Sequence, residues 1–342
     1  MRQFGLALLA VIFAAALGAP VLSPSAPDRQ FRGRLNAPPT LPHLVDDAGA
    51  WHAPFIYPWT LTSQLEQRYE QDRSQRVPLS WFADGRILTS SDGARMPFLP
   101  LGADGYGRDV FSRLLYGARI SLGLSLAAAA GALLIGAFLG GVAGYAGGVA
   151  DDLLMRSSDF VLVLPAMYVA LALRSMLRLV LPPFEVFLLL TGIFAVVGAP
   201  FIARGVRSIV RSEKERDYAV AAVSLGASRA RVLLRHLLPA ARGFLVVEIV
   251  LLVPAFIVAE ATLSYVGLGF PDPIASWGTM LHDASTVRAF ADFPWLLSPA
   301  AAMFFVVLGL NLVMQHQGIV PVYNVSDESA RRLRAHSNPV RS

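Results

Sequence analysis

Cysteine is absent from this 342-residue sequence, and Lys214 is the only lysine among its 29 lysines and arginines. The first absence excludes disulfides and thiolate metal sites, and it leaves the redox compartment unreadable. The second excludes a phosphate-binding P-loop, which needs Gly-Lys followed by Ser or Thr. Lys214 instead lies in "RSEKERD", between two glutamates. The chain does not hydrolyse ATP by that route, and any ATP chemistry belongs to another subunit. Charge is scarce too: 15% of residues are Asp, Glu, Lys or Arg, where a soluble domain carries about a quarter. The basic residues cluster beside apolar runs rather than on a soluble face, so nucleic-acid binding is not read from the net charge of +5. The histidines, at positions 43, 52, 236, 282, 316 and 336, are scattered and suggest no metal cage.

What is present is apolar. Hydrophobic residues make up 55% of the chain and the mean hydropathy is +0.53, a surplus that belongs in a bilayer. A spanning helix needs roughly 20 mostly apolar residues. Six stretches qualify: 4–23, 119–142, 158–180, 186–203, 244–266 and 295–315. The fold class expected is an all-α polytopic membrane protein. The second stretch, "GALLIGAFLGGVAGYAGG", has the small-residue composition that lets membrane helices approach closely. The first reads either as a secretory signal peptide or as an uncleaved anchor, and the length of its apolar core favours the anchor.

Residues 24–118 change character, with Pro, Asp, Arg and Gln, the aromatics of "WHAPFIYPWTL" and the polar run "SQLEQRYEQDRSQR". They read as an external segment holding short strands and one short helix. Orientation follows from arginine in the shorter loops. Arg204, Arg207, Arg211, Lys214, Arg216, Arg229, Arg231, Arg235 and Arg242 fall in 204–243. Arg331, Arg332, Arg334 and Arg341 fall in the 316–342 tail, whereas 267–294 holds only Arg288. Both termini and the 204–243 loop are therefore expected on the cytoplasmic side.

Within that loop, "YAVAAVSLGASRARVLLRHLLPA" (218–240) reads as two short amphipathic helices. Tyr218, Ala221, Ala222 and Leu225 share one face at helical spacing. Gly226 frees the backbone to turn, and Ser228 is placed to cap a second helix. There Val232, Leu233 and Leu237 form an apolar stripe, Arg231 and Arg235 share another face, and Pro239 ends the helix. A basic helix gripping anionic lipid would explain the arginines. It would not explain the small-residue face and the glycine break, which suit a groove on a partner.

The loop resembles the "EAA" loop of ABC-transporter permeases fed by binding proteins, through Ala221, Ala222, Gly226, Leu238 and Pro239. The motif's Glu falls on Val220, and Asp217 is the nearby acidic replacement. "PLGADGYGRDVFSRLLYGARISL" (100–122), "GYAGGVADDLLMRSSDFVLVLPAM" (144–167) and "AEATLSYVGLGFPDPIASWGTML" (259–281) are similar to segments of the C-type subunit of dipeptide and oligopeptide permeases. The likeness covers about 100–315 and leaves out 24–99, and the tail departs from the family pattern. It implies the permease subunit of an importer in the bacterial cytoplasmic (inner) membrane. The implied partners are a second permease, two ABC ATPase subunits that use ATP and Mg, an external solute-binding protein and membrane lipid. It implies no catalysis and no cofactor on this chain. Asp217, Tyr218, Ala221, Ala222, Leu225, Gly226, Arg231, Arg235, Leu238 and Pro239 would couple to the ATPases. The implied cargo is dipeptides or oligopeptides, with nickel or modified peptides as an alternative.

Four further residues are candidates for the pathway or its outer gate. Asp104, Arg108 and Asp109 precede the second span, either pairing to shape the mouth or simply starting a helix. Glu260 lies inside an apolar span, where an ionisable group costs roughly 2.5–3.5 kcal/mol, so it is expected to face the bundle or water. Asp151, Asp152, Arg156 and Asp159 read as a structural charge network, and Arg174, Arg178 and Glu185 as snorkelling charges. An ion-coupled secondary transporter would need internal repeats and paired intramembrane charges, which the sequence lacks.

Overall fold

A computed structural model of the chain describes residues 1–64, 66–93, 95–163, 168, 172, 182–285 and 291–314. Most of the expected 158–180 span lies outside the described residues, as do Arg174, Arg178, Arg288 and the 316–342 tail.

Helix α1 (Arg2–Leu17) continues through Gly18 into a short α2 (Ala19–Leu22). Among the described residues six strands follow: β1 (His43–Val45), β2 (Trp51–Ile56), β3 (Trp59–Ser63), β4 (Arg68–Gln71), β5 (Val77–Trp81) and β6 (Leu88–Ser90). They form an antiparallel sheet in the order β1-β2-β5-β6 and a separate β3-β4 hairpin. The polar run turns from β3 into β4. Among the described residues of 24–109 the only helical turn is a 3-10 turn at Ala83–Gly85. The inward faces of these strands bury Ile56, Val77 and Leu79 against Phe98.

The other described elements are helices. Helix α3 (Val110–Ala146) is followed by α4 (Gly148–Val163), α5 (Pro183–Lys214), α6 (Asp217–Ser224), α7 (Arg229–Val232), α8 (Arg242–Tyr265), α9 (Trp277–Asp283) and α10 (Ser298–Met314). Among the described residues four helical stretches are long and apolar enough to cross a membrane: Val110–Ala146, Pro183–Lys214, Arg229–Tyr265 and Pro294–Met314. At 37 residues, α3 is about 55 Å long, beyond the roughly 30 Å of bilayer hydrocarbon. It starts earlier than its apolar run because Asp109 caps it, accepting from the Phe111 and Ser112 N–H groups.

Close packing of α3 on α5 organises the bundle. Gly136, Gly140 and Gly144 recur every fourth residue along α3 and face Ala199, Ala203 and Arg207 of α5. A Cβ on Gly140 would meet the Ala203 carbonyl oxygen at 2.2 Å, and one on Gly136 the Ala199 oxygen at 2.6 Å. The two backbones touch, as small-residue membrane interfaces allow. Phe194 stacks on Phe256 at 5.4 Å to add α8 to this core. Helix α1 lies antiparallel on α10 through Gly5, which abuts Gly309 and Leu312.

Candidate functional site

At one end of the bundle α5 runs on through Lys214, so the expected 204–243 loop is helical for its first part. The remainder is a compact elbow. Helix α6 starts with Asp217 in its first turn, where a carboxylate favours the helix dipole. It closes in a paired backbone cap: the Gly226 N–H donates to the Val223 C=O at 2.9 Å, and the Ala227 N–H to the Ala222 C=O at 3.1 Å. That cap needs a left-handed residue, and Gly226 has φ +82°. Ser228 then caps α7, its Oγ accepting from the Arg231 N–H.

Pro239 does not end the second helix. After one α turn the chain winds through a π turn (Leu233–Leu237) and a 3-10 turn (Leu238–Ala241) into α8, so Arg229–Tyr265 is one continuous helical rod. Pro239 sits in the first positions of the 3-10 turn, where its missing N–H costs least.

The elbow is anchored on one side and bare on the other. Ala219, Val232 and Leu237 are buried in the bundle core, with Ala222, Leu233 and Leu238 packed against it. Tyr218, Val220, Ala221 and Val223 are exposed, and Leu225 is 89% exposed. Arg231, Arg235 and Pro239 are exposed beside them. The face proposed from spacing is therefore divided: Ala222 turns inward, and Tyr218, Ala221 and Leu225 turn outward. Lys214 ties the elbow to α3 through the Tyr145 C=O at 2.6 Å, and Tyr218 Oη donates to Glu213 at 2.7 Å. Nearby, Asp151 receives Arg207 Nη2 at 2.6 Å, and Arg204 pairs with Asp159, so this charge network joins α4 to α5.

At the opposite end of α3 lies a buried charge knot. Arg108 is fully buried, its Nε donating to Asp104 at 2.7 Å, Nη1 to Asp272 at 2.6 Å and Nη2 to Asp283 at 2.8 Å. Arg113, also buried, lies 3.5 Å from Asp104 and 3.6 Å from Asp283. It also donates to the carbonyls of Pro27 and Pro273. Asp109 is fully buried. Burial pushes its carboxyl up to about 6, against the opposing pull of its hydrogen bonds from Ser112 and Phe111. Burial likewise raises Asp283, although Arg108 and Arg113 counter it.

Glu260 faces the bundle. Ser264 and Ser276 donate to its Oε1 at 2.7 Å each, and Ser121 donates to Oε2 at 2.9 Å. The Trp277 N–H bonds back to Ser121 Oγ at 3.1 Å. One carboxylate thus joins α8, α3 and the cap of α9 in a completed network. Of the four gate candidates, Asp104, Arg108 and Asp109 come together, and Glu260 stands apart. All four are buried, so none lines an open channel in this conformation. Sequence reasoning missed Arg113, Asp272, Asp283, Ser121 and Ser276, whose partners are up to 175 residues away. The one local hint was an arginine at the head of an apolar helix.

Among the described residues no group of three or more His, Asp or Glu side chains is arranged to hold a metal ion. The pattern describing the family "Binding-protein-dependent transport system inner membrane component" matches residues 132–316. The chain is similar to the oligopeptide transport system permease protein OppC of Bacillus subtilis, 39% identical over 215 residues covering 62% of this chain and 67% of that one. It is also similar to the dipeptide transport system permease protein DppC of Alkalihalophilus pseudofirmus, 36% identical over 213 residues covering 62% and 67%. DppC of Bacillus subtilis is 38% identical over 212 residues, covering 62% and 64%. These relatives are transport subunits and not enzymes, in keeping with a chain that has no P-loop. With more than half its length matched and a bundle of apolar helices to carry the match, this multi-pass membrane chain belongs to the family of binding-protein-dependent transport system inner membrane components.

Proposed function

We propose that this chain is the permease subunit of an ABC importer for dipeptides or oligopeptides, coupled to separate ATPase subunits through residues 218–240. The observation that carries the reading is the elbow itself. It is rigidly capped, rooted in the α3–α5–α8 core, and bare along Tyr218, Ala221 and Leu225. Such a body passes on a push rather than absorbing it, because its buried face and the spanning rod Arg229–Tyr265 move together. Asp217, Arg231 and Arg235 border the bare apolar strip and can orient a partner groove, while Gly226, Leu238 and Pro239 hold the elbow's shape.

In this reading the elbow and both termini are cytoplasmic and the strand-rich insertion is external. A second permease completes the pathway, two ABC ATPases burn ATP with Mg, and an external solute-binding protein delivers cargo. The names of the similar permeases supply the peptide class. The buried knot of Asp104, Arg108 and Asp109 braces the outer end of the helices, and Glu260 ties α8 to α3 there.

Co-purification of the tagged chain tests the assembly: two ATPase subunits and a second permease are expected with it. A chain that moves peptide with no ATPase present overturns the reading. Side-specific labelling tests orientation, since an impermeant maleimide should reach Gln75→Cys, but not Leu225→Cys, from outside the cell.

A further inference from the structure

The insertion between α2 and α3 carries apolar surface that its own packing leaves uncovered. Its β5–β6 hairpin turns at Phe82–Ile87, where the Phe82 N–H donates to the Ile87 C=O at 3.0 Å. The Ile87 N–H in turn donates to the Val21 C=O at 2.9 Å. Arg86 Nη1 donates to the Ser23 C=O at 2.7 Å and to Ser23 Oγ at 3.1 Å. These bonds staple the hairpin tip to the end of α1–α2. The Ser25 N–H bonds to Ser112 Oγ at 3.3 Å, so this level coincides with the first turn of α3. That is where α1–α2 ends and α3 begins.

At this level Trp81 is 56% exposed and Phe82 78% exposed. Leu17, Val21 and Leu22, on the adjoining helix end, are exposed as well. Phe82 also holds φ +53°, in the left-handed region. Glycine or asparagine adopts that conformation at less cost. A bulky ring held there and turned outward is not what a tight turn alone requires.

We propose that Trp81 and Phe82 form an interfacial anchor that seats the hairpin tip in the headgroup–acyl boundary of the membrane beside α1. Aromatic rings favour that depth, with the ring body in apolar surroundings and, for tryptophan, the N–H near water. The occupant is lipid because the exposed aromatics continue the lipid-level surface of the α1–α2 end without a break in the bonded path. The anchor would hold the strand-rich insertion close over the bundle. It uses only the membrane placement of α1 and is indifferent to which face carries the insertion, so failure of the import reading leaves it standing.

The natural absence of cysteine permits single-site probes. An environment-sensitive fluorophore is placed on Trp81→Cys, on Phe82→Cys and, as the aqueous reference, on Gln75→Cys beyond the other end of β5. The full chain is reconstituted in vesicles of phosphatidylethanolamine and phosphatidylglycerol. Emission at 81 and 82 is expected to be blue-shifted from that at 75. Lipid brominated near the top of the acyl chain should quench it severalfold more, and aqueous iodide less. Emission at 82 equal to that at 75, with full iodide quenching, overturns the anchor. So does a blue shift that arises only when a soluble binding protein is added, since the patch would then be a protein contact. A second measurement guards against local misfolding. With the probe on Asp84→Cys and circular dichroism unchanged, the double substitution Trp81→Ser, Phe82→Asn should abolish lipid quenching; retention of quenching overturns the proposal.

Discussion

At the scale of single residues the buried charges of the knot carry the sharpest consequences. Removing Arg108 leaves the buried Asp104 and the partly buried Asp283 without their main cation. Breaking a buried ion pair from one side costs about 3–5 kcal/mol. Arg108→Ala should therefore lower the unfolding midpoint of the detergent-solubilised protein by that equivalent. Arg108→Lys should recover only part of it, because one ammonium cannot reproduce the three-way fork. Asp109 gives a pH signature of definite sign. Its carboxyl sits at about 6 in the fold and near 3.8 when unfolded, and it faces Asp104 and Ser112. The folded chain thus holds a proton that the unfolded chain has released between those values, and stability falls as pH rises through them. By this linkage the ionised side chain costs on the order of 3 kcal/mol above the upper value. Asp109→Asn keeps the cap and removes the charge. The variant should be more stable than wild type near neutrality and approach it below about pH 4, as thermal melts at stepped pH will show.

At the scale of elements the elbow is the place to separate coupling from folding. Ala222 packs inward, so a charge there would disturb the elbow itself. Leu225 is almost fully exposed and touches none of the core. Leu225→Glu should leave membrane insertion and melting temperature unchanged while abolishing ATP-driven uptake and ATPase co-purification. Full uptake by this variant would remove the elbow from the coupling path. Gly226→Val should act differently, since the cap demands φ +82° and the left-handed region costs a non-glycine residue about 1–2 kcal/mol. Uptake should fall with it and partly return in Gly226→Asn, because asparagine tolerates that conformation. The elbow was largely legible in advance: the small residues, the glycine and the serine cap are local signals. The smooth run past Pro239 was not, because a proline reads as a stop unless the turn around it rewinds.

At the scale of the whole molecule the glycine seam between α3 and α5 decides how tightly the bundle closes. Gly140 has no room for even a methyl group against the Ala203 backbone. Gly140→Ala should cost about 1–3 kcal/mol as an overpacking strain, measured by thermal unfolding in detergent. Gly123, with only Phe187 at 4.0 Å, should accept alanine with little change. An equal loss at both positions would deny the seam its special role.

Composition, hydropathy and motif spacing determined by themselves that this is a helical membrane chain, where its apolar rods lie, and which loop turns on a glycine. Each of those rests on short-range chemistry: the need for about 20 apolar residues to cross lipid, and the φ that only glycine adopts freely. Only the tertiary structure decided that Arg108 collects carboxylates from positions 104, 272 and 283, and that Glu260 is satisfied by three serines from three segments. It also decided that the one short helix expected in the insertion is a single 3-10 turn at Ala83–Gly85. Charges buried in a low-dielectric interior must find partners, and the fold, not the local pattern, chooses which distant segments deliver them.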